Sequence, residues 1–458
     1  MKTSLSIFGL LILFSQALAA QDTVRVDLSE FIRLGLEKSG QVQYEEGAVR
    51  LAENRIDEAK ANRILPRVEL NTNHGLVPGV VSENPDLPRS QYYLDPNLTN
   101  DWENWAIFTR AEITAVQPVF SWGAVDKAIR AAEYGAMAAE GRFEASRQEI
   151  ELQLAELYYS YLLALEIERI LADAESKVNE IGRRIEEMEE EEDPDLQQKD
   201  VFQFRIYKSE FEIQKTEVRQ SIQRINRIWN YFLGEDGVTV YLPESDFLDP
   251  VPVQIESYDF YQANALGTRA ELRGAEAGIA AYEQSIEALK AQSYPMLYLG
   301  LTANYANTPN RPRQSNPFII NSTNYMSAGF GFGIRQNLNF SAINNRIDRE
   351  RIEYNRVKDL KHALSDQIIL ELNERYMEAV VAEERVDRLD EALVTSRSWV
   401  RHEQLNYDFG FGEVEDLVDS VRKELELRVE LKQSIFELNK RLAALYKAAG
   451  IPVSRIEN

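Results

Sequence analysis

An internal duplication constrains this chain more than any other feature. Glu37 to Leu70 aligns without gaps to Leu266 to Leu299 at a shift of 229 residues, so that Ala48, Ala52 and Ala59 meet Ala277, Ala281 and Ala288. Leu65-Pro66-Arg67 meets Tyr294-Pro295-Met296, and Gln117-Pro118-Val119 meets Gln336-Asn337-Leu338. Near the end of the unit the shift becomes 216, matching Asp200 with Asp416 and Gly234 with Gly450. Loops of unequal length account for the drift. A chain of this kind must build one supersecondary unit twice, and each unit must bury its apolar faces with the same logic.

Within each unit the order is the same. A helix with alanine-rich spacing runs to Pro66 or Pro295, where proline ends it. Two segments of period-two alternation follow, separated by a polar loop. Leu297, Leu299, Leu301, Ala303 and Tyr305 take one parity, with Gly300, Thr302 and Asn304 on the other. Met326, Ala328, Phe330, Phe332 and Ile334 alternate with Ser327, Gly329, Gly331, Gly333 and Arg335. In the first unit Ile107, Ala111, Ile113 and Ala115 oppose Arg110, Glu112 and Thr114. These patterns predict strands with one apolar face, at about residues 67–76, 106–118, 296–306 and 326–338. Each strand is ~10 residues long, the length of a tilted transmembrane strand, and four strands are too few to close a barrel alone. Closure therefore calls for further copies of the chain. Trp102, Trp105, Phe120 and Trp122 fall near strand ends, where an interfacial girdle places aromatics.

After each second strand the period changes to three and four. Ile150, Leu154, Leu157, Tyr161 and Leu165, then Ala174, Val178, Ile181, Ile185 and Met188, form one stripe. Val357, Leu360, Leu364, Ile368, Leu372 and Tyr376 form its counterpart. Such stripes predict coiled-coil-like packing, and roughly sixty-five helical residues at ~1.5 Å each extend ~100 Å. Each long helix breaks, at Asp193-Pro194-Asp195 or at Asp408-Phe409-Gly410-Phe411-Gly412, and a shorter helix returns to Gly234 or Gly450, with glycine in its usual C-terminal place. The expected organisation is a first repeat over 20–234, a Pro-bearing connector over 235–256, a second repeat over 257–452 and a tail over 453–458. The fold class is α+β and mostly α: long antiparallel helical hairpins plus four transmembrane strands.

Residues 1–19 read as a secretory signal peptide: Lys2, an apolar run from Leu5 to Phe14, and the small-residue pattern Ala17-Leu18-Ala19. Its apolar core is about half the ~20 residues a spanning helix needs, so no retained helical anchor is expected. The 458 residues contain no cysteine, which excludes disulfides, thiolate metal sites and a lipid carried on cysteine. The net charge of −24 argues against nucleic acid as a partner. The three histidines, His74, His362 and His402, have no metal-ligand spacing, and no glycine-rich phosphate loop is present. Neither an enzyme nor a bound cofactor is expected.

The Pro66 and Pro295 junctions, Gln117-Pro-Val-Phe-Ser-Trp-Gly123 and the segment Asn406 to Ser420 (NYDFGFGEVEDLVDS), in this doubled order, resemble the TolC family of outer-membrane efflux and secretion channels over about residues 25 to 452. The resemblance implies a homotrimer whose protomers each give four strands to one 12-stranded barrel in the outer membrane of a Gram-negative-type bacterium, with a helical tunnel in the periplasm. It implies a periplasmic adaptor and an inner-membrane transporter as partners, in a tripartite efflux pump or a type I secretion system. The family's periplasmic gate aspartates fall on Asp416 and Asp419; three apart, they share a helix face, and three copies would give two acidic rings. Acids in a first turn also stabilise the helix dipole without lining anything. The family's closing link falls on Tyr407 and Asp200, while an arginine that assists closure is replaced by Gly412. Pro194, Asp195 and Leu196 in one tip, and Gly410, Phe411 and Gly412 in the other, occupy the adaptor-contacting positions. The acidic run Glu189 to Asp193 reads either as a solvated helix end or mobile turn, or as a segment that docks a basic adaptor tip or binds cations. The competing reading of the chain is an exported coiled-coil scaffold without a pore, which leaves the four apolar-faced strands unexplained.

Overall fold

The computed structural model describes residues 22–64, 66–191, 197–233, 239–314, 316, 318–409, 411 and 414–456. In chain order these form β1 (Asp22–Val26), α1 (Leu28–Lys38), α2 (Gly40–Ile64), β2 (Arg67–Val81), β3 (Thr99–Phe120), α3 (Ala124–Glu190), α4 (Gln198–Leu233), β4 (Thr239–Pro243), α5 (Tyr258–Thr268), α6 (Ala270–Ala291), β5 (Met296–Asn307), β6 (Tyr325–Arg335), α7 (Phe340–Asp408) and α8 (Val414–Ala448). Short 3-10 turns lie at Arg89–Leu94 and Val453–Arg455. The mostly helical class with a sheet part, expected from the two periodicities, is the one observed. β2 and β3 run further than the alternation indicated, to Val81 and from Thr99, because cross-strand pairing continues past a register shift at Pro78/Gly79. The backbone divides into two units. One comprises residues 22–45, 144–270 and 365–456, the other residues 46–143 and 271–364.

The second unit holds a four-stranded antiparallel sheet in the order β2-β3-β5-β6. β2 and β6 are its edges, so among the described residues each has one side with no strand partner. Helices α2 and α6 lead into the sheet, and the first turns of α3 and α7 lead out of it. Ile286, Ile343 and Ile347 form a small core between α6 and α7.

In the other unit, β1 and β4 pair in parallel, and two aromatic clusters serve the two repeats. Trp229 of α4 is fully buried, stacks on Phe31 of α1 at 4.2 Å and donates its indole N–H to the Tyr241 carbonyl at 3.0 Å. Tyr158 and Tyr161 of α3 pack on the same indole. In the second repeat Tyr261 of α5 meets Tyr376 of α7 and Tyr446 of α8. In both clusters the first helix, the long helix and the return helix all contribute aromatic rings.

The C-terminal carbonyls of the return helices are satisfied in parallel ways. Lys38 donates to Leu233 O at 2.8 Å. Arg269, 4% exposed, donates to Ala448 O at 3.0 Å and pairs with Glu371 at 3.1 Å. Gly450 adopts φ +70° and donates to Lys447 O, the left-handed C-cap that glycine takes without a Cβ penalty. Gly234, its expected counterpart, lies outside the described residues.

The long helices pack with coiled-coil spacing. Leu372, Ala379, Val386 and Leu393 of α7 are buried at intervals of seven, as are Leu171, Val178 and Ile185 of α3. Most of the stripe read from the sequence is buried or half-buried, but Leu360 is 52% exposed. A period of three and four drifts around a straight helix, and the heptad series beginning at Leu372 excludes that position. Charged pairs set direction: Arg205 meets Glu189 and Lys215 meets Glu175, so α4 retreats as α3 advances. Arg385–Glu430 and Arg441–Glu378 define the same antiparallel relation for α7 and α8.

Candidate functional site

The four-stranded sheet carries two unlike faces, and its register shows how each is built. Val68, Ala115, Leu301 and Phe330 stand side by side across all four strands; beside them run Leu70, Ile113, Ala303 and Ala328, then Thr72, Ala111, Tyr305 and Met326. On the opposite face the rows read Glu69, Thr114, Thr302, Gly329 and Asn71, Glu112, Asn304, Ser327. The apolar face is uncovered in the protomer: Met326 is 84% exposed, Phe330 82%, Ile334 75% and Leu70 63%. Soluble monomers rarely leave a contiguous apolar patch above a few hundred Å². Ten rises along β3 from Ile107 to Gln117 span ~33 Å, which at a tilt of ~40° gives ~25 Å, the height of an outer-membrane barrel's apolar band.

Aromatics bracket this face. Trp102 and Trp105 form a pair at 5.8 Å at one end of β3. Phe120, Trp122 and Tyr294 cluster at the helix-proximal end, with the Trp122 indole donating to Pro295 O at 2.9 Å. On the polar face, aromatic rings lie over paired glycines: Phe108 over Gly75 and Tyr298 over Gly333, each so close that a Cβ on the glycine would come within 2.6 Å of ring atoms. His74 lies in β2 and meets Thr109 Oγ1 at 3.1 Å.

The helix tips of the other unit hold the second set of candidates. Val178, Ile185, Val201 and Phe204 bury an apolar seam between α3 and α4, with Tyr407, Val418 and Leu425 packed against it. Asp416 is exposed in the first turn of α8 and has no hydrogen bond or ion pair among the described residues. Asp419, one turn on, pairs with Arg422 at 2.9 Å and lines a groove of about 320 Å³ with Tyr207, Glu210 and Glu415. Glu415 pairs with Lys199 at 2.5 Å, and the hydrogen bond from Lys199 holds its carboxyl below the usual range. Tyr407 donates to Met188 Sδ at 3.3 Å. Asp200 lies in the first turn of α4, and its side chain is outside those described.

Phe411 is 88% exposed and donates its backbone N–H to Asn406 O. Pro194, Asp195, Leu196, Gly410 and Gly412 lie outside the described residues, as do residues 192 and 193 of the acidic run. Sequence reasoning missed Arg422, although its spacing of three from Asp419 was available. It also missed the clasps Lys177–Glu424 at 3.3 Å, Arg428–Asp173 at 2.7 Å and Arg184–Asp408 at 3.4 Å. These join segments more than two hundred residues apart and leave no local signal. Among the described residues no cluster of His, Cys, Asp or Glu could hold a metal ion, and no helix is long and apolar enough to cross a membrane.

With the two faces and the tips defined, the architecture can be set against known structures. No protein-family model and no curated protein sequence matches the chain. Solved structures do. CusC, described as forming a transmembrane channel, aligns over 94% of this chain and 94% of its own with a TM-score of 0.71 at 15% identity. The outer-membrane protein VceC of Vibrio cholerae aligns over 93% and 96% with a TM-score of 0.67 at 18% identity. The MtrE outer-membrane channel of Neisseria gonorrhoeae, in its open state, aligns over 94% and 90% with a TM-score of 0.69 at 14% identity. The chain therefore has the fold of the outer-membrane channel proteins. That is the TolC-like fold which the junction prolines and the second-tip segment implied.

Proposed function

We propose that this protein is the outer-membrane channel of a tripartite efflux pump or a type I secretion system, a passive conduit with no catalysis of its own. The observation that carries this reading is the exposed apolar face of the four-stranded sheet, with rows running unbroken from edge to edge. Such a face favours lipid, while Glu69, Asn71, Glu112 and Asn304 on the opposite face suit a wet lumen. The unpaired edges of β2 and β6 require partners, since a sheet in a membrane must close. Three copies would pair edge to edge and complete a 12-stranded barrel. The helical hairpins would then extend into the periplasm, where an adaptor protein joins the tips to an inner-membrane transporter. Phe411 is an exposed apolar anchor for such a contact. Asp416 and Asp419 would line the closed end as two acidic rings, with Tyr407 and Asp200 linking neighbouring hairpins. A scaffold without a pore has no use for the apolar rows.

Reconstitution of the purified full chain into planar bilayers tests the reading. Discrete conductance steps from a detergent-solubilised trimer are expected. A chain that stays soluble without detergent, or remains monomeric in it, overturns the proposal.

A further inference from the structure

At the point where β5 and β6 give way to α6 and α7, within one unit, lies a pocket of about 480 Å³. Its lining includes the apolar Leu289, Met296 and Ile343, the ring of Tyr294, and two cations, Arg335 and Arg346. Some other groups of the wall have partners. Gln336 donates to Ser293 O at 3.2 Å, Asn337 accepts from the Asn339 N–H at 2.9 Å, and Ser121 O accepts from the Ala124 N–H at 2.9 Å.

The two arginines do not. Arg335 rests over the Tyr298 ring at 5.1 Å and has no carboxylate partner among the described residues. Arg346 has no hydrogen bond or ion pair among the described residues. Four neighbouring cations of the junction are paired with carboxylates: Arg63 with Asp126 at 3.1 Å, Arg67 with Glu69 at 3.0 Å, and Lys127 and Lys290 with the shared Glu287 at 3.4 and 2.6 Å. In a chain with 75 acidic and 51 basic residues, carboxylates are in excess. Two guanidiniums left without one, facing a shared cavity, present up to ten N–H donors to whatever enters it.

From this juxtaposition we infer that the pocket binds an amphipathic anion, a phosphate, sulfate or carboxylate on an apolar body, with Arg335 and Arg346 holding the head group and Leu289, Met296 and Ile343 covering the tail. Guanidinium forks suit such oxyanions because they bond two oxygens at once. The site goes beyond the conduit reading, since it concerns a resident ligand and not passage. The same chemistry has two sources, the head group of an anionic phospholipid and a free anionic solute.

Calorimetric titration of the full chain in phosphatidylcholine nanodiscs separates the alternatives, with octyl phosphate as probe and octyl glucoside and inorganic phosphate as controls. Octyl phosphate is expected to bind at least tenfold more tightly than either control. Replacing both arginines (Arg335→Gln with Arg346→Gln) is expected to weaken it at least tenfold, with melting temperature and oligomeric state unchanged. Arg346→Lys, which keeps the charge, is expected to recover part of the loss. If phosphatidylglycerol in the nanodisc suppresses octyl phosphate binding to the wild type and leaves the weak binding of the double variant as it was, the natural ligand is the lipid. If it has no effect, the ligand is a free solute; either result upholds the site. Octyl phosphate binding no better than octyl glucoside, or equally to wild type and double variant, overturns the inference, as does inorganic phosphate binding as tightly as octyl phosphate. Should the chain prove soluble, the same titration in buffer tests the pocket separately from the channel.

Discussion

Asn439 illustrates how much a single side chain can organise. It is fully buried in α8, its Oδ1 accepts from the Val251 N–H at 3.0 Å, and its Nδ2 donates to Asp249 O at 2.9 Å. The connector between the repeats is thereby fastened to a helix 188 residues later in the chain. Lys432 adds a bond to Leu248 O at 2.8 Å, and Arg169 one to Asp246 O at 2.6 Å. Asn439→Leu keeps the branched shape but strands one donor and one acceptor, each at ~1–3 kcal/mol, so a loss of roughly 2–6 kcal/mol is expected in urea denaturation.

Glu371 is the other residue whose environment decides its chemistry. Burial pushes its carboxyl up, but Arg269 and Lys447 together outweigh that and leave it below the usual range. A depressed folded-state pKa means the contribution is complete above the unfolded value of ~4.3 and is lost as pH falls through the lower folded value. Melting of Glu371→Gln should therefore fall below wild type at pH 7 and approach it as acid takes the pH below the lowered folded value; a difference that stays constant from neutral pH into acid would contradict the assignment. Glu371 and Asn439 were both illegible in the sequence, where each is an ordinary polar residue on a charged helix. Their partners come from other elements, and burial of a polar group is decided by those partners.

At the scale of elements, the strands were legible because alternation with period two is a direct imprint of a two-faced sheet. What could not be read was register. Only the pairing reveals that Phe330, Leu301, Ala115 and Val68 make one row, or that Phe108 and Tyr298 cover Gly75 and Gly333. The face assignment has a sharp consequence. Phe330→Arg would place a guanidinium on the lipid side at a cost of ~2–4 kcal/mol near the bilayer midplane, whereas Ser327→Arg points the same group at the polar side. Recovery of protein from the outer-membrane fraction is expected to drop several-fold for the first variant and to stay near wild type for the second. Equal loss in both would mean that the faces are reversed or that the sheet does not meet lipid. The long helices were likewise legible in their 3–4 spacing. Their strict sevens were not, because Leu360 fits the sequence stripe as well as Ile368 does and only packing excludes it.

For the whole molecule, the second tip holds the most accessible test of the conduit reading. Asp416 is unpaired among the described residues while Asp419 is half-neutralised by Arg422, so the outermost acid should dominate any electrostatic filter. Asp416→Ala is expected to reduce the preference for cations over anions in bilayer recordings more than Asp419→Ala does, and the double variant should reduce it most. Unchanged selectivity in all three would remove these residues from the gate. The tip motif was visible in the sequence because its residues lie close together along the chain. The clasp Arg428–Asp173 was not, because it spans 255 residues.

The buried series Leu372, Ala379, Val386 and Leu393 also restricts how this protein could change length. One residue inserted among them would rotate everything beyond by ~100°, carrying Leu393 from seam to surface and turning Tyr407 away from Met188. Seven residues inserted together restore the phase. Any longer or shorter hairpin built on this plan should therefore differ from it in steps of seven, with matching changes in the two antiparallel arms, so that reach is adjusted in increments of about two helical turns.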